Sequence, residues 1–337
     1  MAPSRDPVEA RDDQDRDLYE VATWEPRSLF DRLSVGLHSL LLSSARLFVV
    51  FLALLILGVQ FALGGLSAVT NPIIGVFTLL SVVPALALAA YVWYADVTTQ
   101  EPLELLVATF VLGVLFAGFA AVINTATSAG LAYIGLAGGL AQIGMFFVVV
   151  GPVEETVKLL AVRLLAYRSD SFDAVIDGAV YGAVAGLGFA TIENAIYISS
   201  QTQGVSDPFN AVAAGGAITA VRSLAGPGHV IYSAFAGYYL GLAKFNADRA
   251  GPIVVKGLLI ATLVHATYNT LASPASELIA SVVGIPRFVA FFAFVVVYDG
   301  VFGLLLVRKL ATYRRTYHDV HDGDRAGPAA ELTEFDG

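Results

Sequence analysis

Residues 105–153 read LLVATFVLGVLFAGFAAVINTATSAGLAYIGLAGGLAQIGMFFVVVGPV, 49 positions without an Asp, Glu, Lys or Arg. About 20 apolar residues suffice to cross a bilayer as a helix, so a stretch this long belongs to a chain that crosses more than once. A second charge-free run of equal length extends from Leu47 to Ala95. Neither run breaks into the alternating segments of roughly 9–11 residues that barrel strands require, which leaves helices as the spanning element. The whole chain is 57% hydrophobic and 14% charged, with a mean hydropathy of +0.73, against roughly 45–50% and about 25% in soluble domains. The fold class is an all-α, polytopic transmembrane helical bundle.

Working outward, the spans fall at roughly 46–68, 73–95, 103–126, 137–167, 173–199, 226–245, 252–272 and 287–309, eight in all. Phe209 to Leu224 is rich in Ala and Gly, weakly hydrophobic and carries Arg222, and reads as a re-entrant or interfacial helix rather than a ninth span. Lys and Arg collect in Arg27 to Arg46, Lys158 to Arg168, Lys244 to Lys256 and Arg308 to Arg315. The positive-inside rule places all four in the cytoplasm if there are eight spans and both termini face inward. The net charge of -9 belongs to the ends: 15 of the 28 acids lie in residues 1–45 and 311–337. These tails read as disordered or loosely helical. A cleaved signal peptide is not expected behind so long an acidic segment. The absence of cysteine excludes a thiol nucleophile, a disulfide framework and a Cys-ligated metal.

Ionisable residues inside a bilayer cost about 2.5–3.5 kcal/mol each or more, so those present need a reason. They concentrate in spans four to seven. Gly151-Pro152-Val153-Glu154-Glu155-Thr156-Val157-Lys158 places Glu154 and Lys158 at i,i+4, where they meet and partly neutralise one another. Pro152 should kink or restart that helix. Span five carries Asp173 and Asp177 near its cytoplasmic end, for which capping or support outranks catalysis, and Glu193 and Asn194 near its other end. Its Gly178, Gly182 and Gly186 recur every fourth residue and let another helix come close. His229 follows Gly226-Pro227-Gly228, and His265 shares a helix face with Asn269. In the eight-span topology Glu193, His229 and His265 all reach the outer leaflet, with Glu154 somewhat deeper. Such a cluster activates water for hydrolysis, with Asn269 or Arg222 to steady an oxyanion. It equally offers zinc three ligands in Glu193, His229 and His265, although no HExxH helix is present. An ion- or proton-coupled transporter uses the same residue types, and a catalytically silent membrane scaffold is a third reading.

Glu154-Glu155-x-x-Lys158, Phe172-Asp173 through Gly186-Leu187-Gly188-Phe189-Ala190-x-x-Glu193-Asn194, His229, and His265-x-x-x-Asn269, in this order, resemble the PrsW family of intramembrane proteases. These are distant relatives of CAAX-processing and bacteriocin-immunity membrane proteases. Asp96 to Glu104, with Glu101-Pro102, looks like the family's early loop. The resemblance covers about residues 85–275 of a transmembrane protease-like domain at 46–310, flanked by acidic cytoplasmic tails at 1–45 and 311–337. It implies an endopeptidase that cuts a single-span membrane protein near the extracytoplasmic face, in the founding bacterial role an anti-sigma factor. By resemblance Glu154, Glu155, Glu193, His229 and His265 are catalytic, with Lys158, Asn194, Asn269, Arg222 and Asp177 accessory. A glutamic and a zinc mechanism both stay open. The expected surroundings are the bilayer of the cell membrane and a protein substrate, with no nucleic acid.

Overall fold

The computed structural model describes residues 5–12, 16–41, 71–98, 101–136, 138–202 and 207–325. The first expected span, 46–68, lies outside them. Within them the chain is helical throughout, the one β feature being an isolated bridge between Tyr19 and Thr23. In order come α1 (Pro7–Arg11), α2 (29–41), α3 (Pro72–Tyr94), α4 (Leu103–Tyr133), α5 (Gly139–Met145), a π-turn (Phe146–Val150), α6 (Gly151–Leu164), α7 (Val175–Thr202), α8 (Pro208–Phe245), α9 (Ala250–Val283) and α10 (Arg287–Arg325). Five of these segments are long and apolar enough to cross a membrane, in α3, α4, α7, α9 and α10. This is a multi-pass membrane protein.

Starts and breaks follow local chemistry. Asn71 accepts the amide of Ile73 at 3.0 Å ahead of Pro72, which needs no amide partner at the first turn. Asp207 does the same for Phe209 and Asn210 at 3.3 Å before Pro208. Pro152 has no amide to donate and crowds the carbonyl four residues earlier, and the backbone widens into the π-turn just before it. The expected restart therefore takes this form.

One expectation fails. Phe209 to Leu224 is not a separate re-entrant or interfacial helix; it is the first half of α8, which runs unbroken for 38 residues through Pro227. That is roughly 57 Å, almost twice the hydrocarbon thickness of about 30 Å. Glycines flank Pro227, and the surrounding helices shield the backbone it interrupts. The segment and the expected sixth span thus form one continuous helix.

α7 is the central strut, buried over most of its length. Its glycine seam lies against α8: a Cβ at 178 would strike the carbonyl of Gly237, one at 182 that of Ser233, and one at 186 that of His229. On another face Gly188 approaches the carbonyl of Phe110 in α4 equally closely. Van der Waals contact between backbones replaces the hydrophobic drive that lipid cannot provide.

The described residues of the N-terminal segment, expected to be disordered or loosely helical, pack onto the bundle. Asp6 caps α1, accepting Val8 N at 2.9 Å, and also receives Val175 N at 3.1 Å and the Tyr313 hydroxyl at 3.0 Å. Asn246 accepts Trp24 N and donates to the Ala22 carbonyl. Glu20, held at a left-handed φ of 58°, pairs with Lys256 and Lys309. Glu20, counted as solvated charge, instead neutralises Lys256 near the start of α9 and Lys309 within α10. The helix α10 likewise continues to Arg325, so part of the C-terminal tail is regular structure.

Candidate active site

Gly151 sits where α6 touches α9, a Cβ there coming within 3.1 Å of both the Thr262 side chain and its carbonyl. Side chains on a helix lean toward its N-terminus. Glu155 on α6 and His265 on α9 therefore lean back to the level of this contact, and they meet: His265 Nδ1 lies 2.8 Å from Glu155 Oε1. Across the site Gly186 lets α8 approach, bringing His229 beside Glu193 with Nε2 to Oε2 at 2.8 Å.

Lys158 ties the two halves together. Its Nζ donates to Glu155 Oε1 at 2.7 Å and to His229 Nδ1 at 2.9 Å. The expected pairing with Glu154 is the weaker contact, at 3.9 Å. An ammonium can only donate, so Nδ1 of His229 accepts and its ring proton sits on Nε2, facing Glu193. The Glu193 carboxylate is held from the other side by Arg222 at 2.6 Å. Arg222 is in turn fixed by Asn194, whose Oδ1 accepts Nε at 2.7 Å and whose amide donates to Ser81 at 2.9 Å. Asn194 is fully buried and acts through Arg222.

These groups border a cavity of about 960 Å³. Glu154, Glu193, Arg222, His229, His265 and Asn269 line it, and Glu155 does not. Glu155 is fully buried behind His265, whereas its neighbour Glu154 presents a carboxylate to the cavity. Asn124 of α4 donates to Glu154 Oε1 at 3.0 Å. The other oxygen, Oε2, is buried without a hydrogen-bond partner, 3.7 Å from His265 Nε2.

That orphaned oxygen tests whether a metal fits. Glu154, His229 and His265 each offer a ligand atom within 4.8 Å of the others. With Nδ1–H of His265 directed at Glu155, its Nε2 lone pair is free to bind an ion, an arrangement typical of metal-bound histidine. Two imidazoles and a carboxylate suit zinc and leave a position open, provided that His229 gives up the proton on Nε2. The geometry groups Glu154 with the histidines, and Glu193 stands beyond His229 with Arg222.

Asp177 lies elsewhere. Sixteen residues along α7 from Glu193 amount to roughly 24 Å, and Asp177 accepts the amides of Asp173 and Ala174 at 2.7 and 2.8 Å. Three participants were missed in the sequence. Asn124 is an amide in the middle of the charge-free run that opened the reading, which was a usable signal. Tyr232 stacks on His265 at 5.4 Å and donates to Asp299 at 3.2 Å. Asp299 is an acid inside the last apolar run, beyond the resemblance at about residues 85–275.

A family model described as PrsW family intramembrane metalloprotease matches residues 101–299, reaching Asp299. Protease PrsW of Bacillus subtilis (strain 168) is 29% identical over 198 residues, 58% of this chain and 82% of that protein. The Protease PrsW of Oceanobacillus iheyensis is 31% identical over 188 residues, 56% of this chain and 79% of its own length. That of Clostridioides difficile (strain 630) is 31% identical over 194 residues, 57% and 76% respectively. No solved structure matches the chain.

Proposed function

This chain belongs to the PrsW family of intramembrane metalloproteases, and from that premise we propose that it cleaves a single-span membrane protein near the extracytoplasmic face, with Glu154, His229 and His265 at the reacting centre. The observation that carries this reading is the convergence of those three side chains on one cavity wall. Zinc bound there would polarise the scissile carbonyl and acidify a water molecule. Glu155 orients His265 through Nδ1, and Lys158 holds Glu155 and His229 in register. Glu193 lines the cavity and accepts a hydrogen bond from His229 Nε2, and an ion bound at that nitrogen would displace the proton. Arg222 and Asn269 reach the same cavity and supply a cation and an amide to a developing oxyanion.

Two arguments support an outward-facing cut by this enzyme. The basic segments gather at one end: Lys244 donates to the carbonyls of Tyr167, Ser169 and Phe172, while Lys256 and Lys309 bind Glu20. By the positive-inside rule that end, with both termini, is cytoplasmic. The cavity residues lie toward the opposite ends of α7 and α9. An anti-sigma-factor-like regulator is the substrate class that the resemblance implies.

The test uses purified chain in proteoliposomes with a single-span reporter. Glu154→Gln, His229→Ala and His265→Ala should each abolish cleavage and lower bound zinc, read by elemental analysis, below the wild-type stoichiometry. Cleavage and zinc content unchanged in all three variants would refute the site.

A further inference from the structure

At the other end of α7 three acids gather away from the cavity. Asp96 and Glu101 come from the connection between α3 and α4, and Asp177 from the first turn of α7. Each offers a carboxylate oxygen within 4.8 Å of the other two. Glu101 is 5% exposed and Asp177 fully buried. Hydrogen bonds account for only part of their capacity. Asp177 Oδ2 takes two backbone amides, and Glu101 Oε2 takes the Tyr181 hydroxyl. The Thr98 hydroxyl has one proton for two acceptors, Asp96 Oδ1 at 2.7 Å and Asp177 Oδ1 at 3.2 Å. Glu101 Oε1 and Asp96 Oδ2 are then left buried with no hydrogen-bond partner.

Among the described residues no side-chain cation pairs with them either. Lys244 directs its ammonium to three backbone carbonyls at 2.9, 3.2 and 2.6 Å. Three donors serve three carbonyls and none is left for the acids. Buried carboxylates without a counter-charge cost several kcal/mol, so these groups either hold protons or are balanced by a bound cation. Oxygens bound to one ion at 2.3–2.6 Å stand at most about 5 Å apart, which is the spacing observed.

We propose that Asp96, Glu101 and Asp177, with the Thr98 hydroxyl, form a site for a hard divalent cation of the magnesium or calcium class, separate from the histidine-containing cluster. An all-oxygen donor set without imidazole or thiolate selects that class over zinc. The ion would pin the α3–α4 connection to the start of α7, the helix that carries Glu193 at its far end.

Terbium(III) tests this directly, because it seeks the same oxygen ligands and its emission is sensitised by a nearby phenol, here Tyr181. Full-length chain in nanodiscs should give saturable emission on excitation of tyrosine, displaced by calcium or magnesium. Glu101→Gln and the part-exposed Asp96→Asn should each raise the terbium midpoint about tenfold or more, while Glu154→Gln leaves it unchanged. Emission that neither calcium nor magnesium displaces would overturn the proposal from the wild-type chain alone. So would a midpoint unmoved by both acid substitutions, or one that follows Glu154→Gln instead.

Discussion

Lys158 allows the sharpest test of how the site is held. Its ammonium and the Glu155 carboxylate are both fully buried and 2.7 Å apart. At an effective dielectric constant near 20, unit charges at that distance attract by about 6 kcal/mol. Replacing Lys158 with Met removes the cation and leaves Glu155 with His265 and, at 3.5 Å, the Ser233 hydroxyl. Breaking a buried pair from one side costs about 3–5 kcal/mol, because a charge stays behind uncompensated. Glu155→Gln should cost a similar amount, stranding the ammonium. The double substitution removes both charges and should cost no more than either single change, a coupling of roughly 3 kcal/mol or more. Unfolding in mixed micelles, read by tryptophan fluorescence and near-ultraviolet dichroism, measures each corner of the cycle. Cleavage should fall at all three mutant corners, since Lys158→Met removes the partner of His229 and Glu155→Gln that of His265. Single-substitution costs that simply add, within about 0.5 kcal/mol, would refute the picture of one shared buried charge pair.

Other consequences are testable on the same preparation. Asn124→Ala deletes the hydrogen bond to Glu154 and should slow turnover about tenfold to a hundredfold, since such bonds to charged groups contribute about 1.5–3 kcal/mol; thermal stability under the same conditions checks that the fold survives. Gly186→Ala drives a methyl group into the carbonyl of His229 and should destabilise by about 1–3 kcal/mol or more, whereas Gly130→Ala meets nothing within 4 Å and should be neutral; paired melting curves decide. Burial pushes Asp6 up to about 6 from 3.8, with Glu9 adding to the rise against the hydrogen bonds from Val8, Val175 and Tyr313. An acid with a raised docked-state pKa stabilises docking fully below its free value and loses that contribution as pH rises through about 6, a swing of about 3 kcal/mol. Amide protection factors around Val8 and Val175, taken against the intrinsic base-catalysed exchange rate at each pH, should therefore be higher at pH 4.5 than at pH 7.5, and Asp6→Asn should flatten the difference.

The bundle was legible because its signal is repetitive: charge-free runs of 49 residues admit one class of answer. The identity of the polar residues was legible for a related reason, since each intramembrane Glu or His stands out against an apolar background. Their partners were not. Helical spacing puts Lys158 opposite both Glu154 at i,i+4 and Glu155 at i,i+3, and only the approach of α8 with His229 decides that it turns to Glu155. The break expected between Leu224 and Gly226 is absent, although Gly226, Pro227 and Gly228 would end a helix in water. Packed among other helices they do not, and α8 continues through them. The tails were misjudged on composition alone. Acids look solvated until the bases they neutralise are known, and Lys256 and Lys309 lie more than 200 positions from Glu20 in sequence.

The glycine seam explains why so many distant choices end in one geometry. Because Gly178, Gly182 and Gly186 bring the α7 and α8 backbones into contact, the separation of these helices is fixed by main-chain atoms rather than by flexible side chains. His229 belongs to the last contact of that seam, so its ring cannot retreat from Glu193 without prying the two helices apart. On the opposite side Gly151 sets the approach of α6 to α9, and hence of Glu155 to His265, in the same way. Lys158 then spans two rigid seams with a single side chain, donating to one member of each. Positions that look inert, glycines in the middle of membrane helices, thus govern the separation between the two histidine rings, whose centroids lie 5.2 Å apart. A site built this way should tolerate changes in its lipid-facing side chains far better than a single added methyl group along either seam.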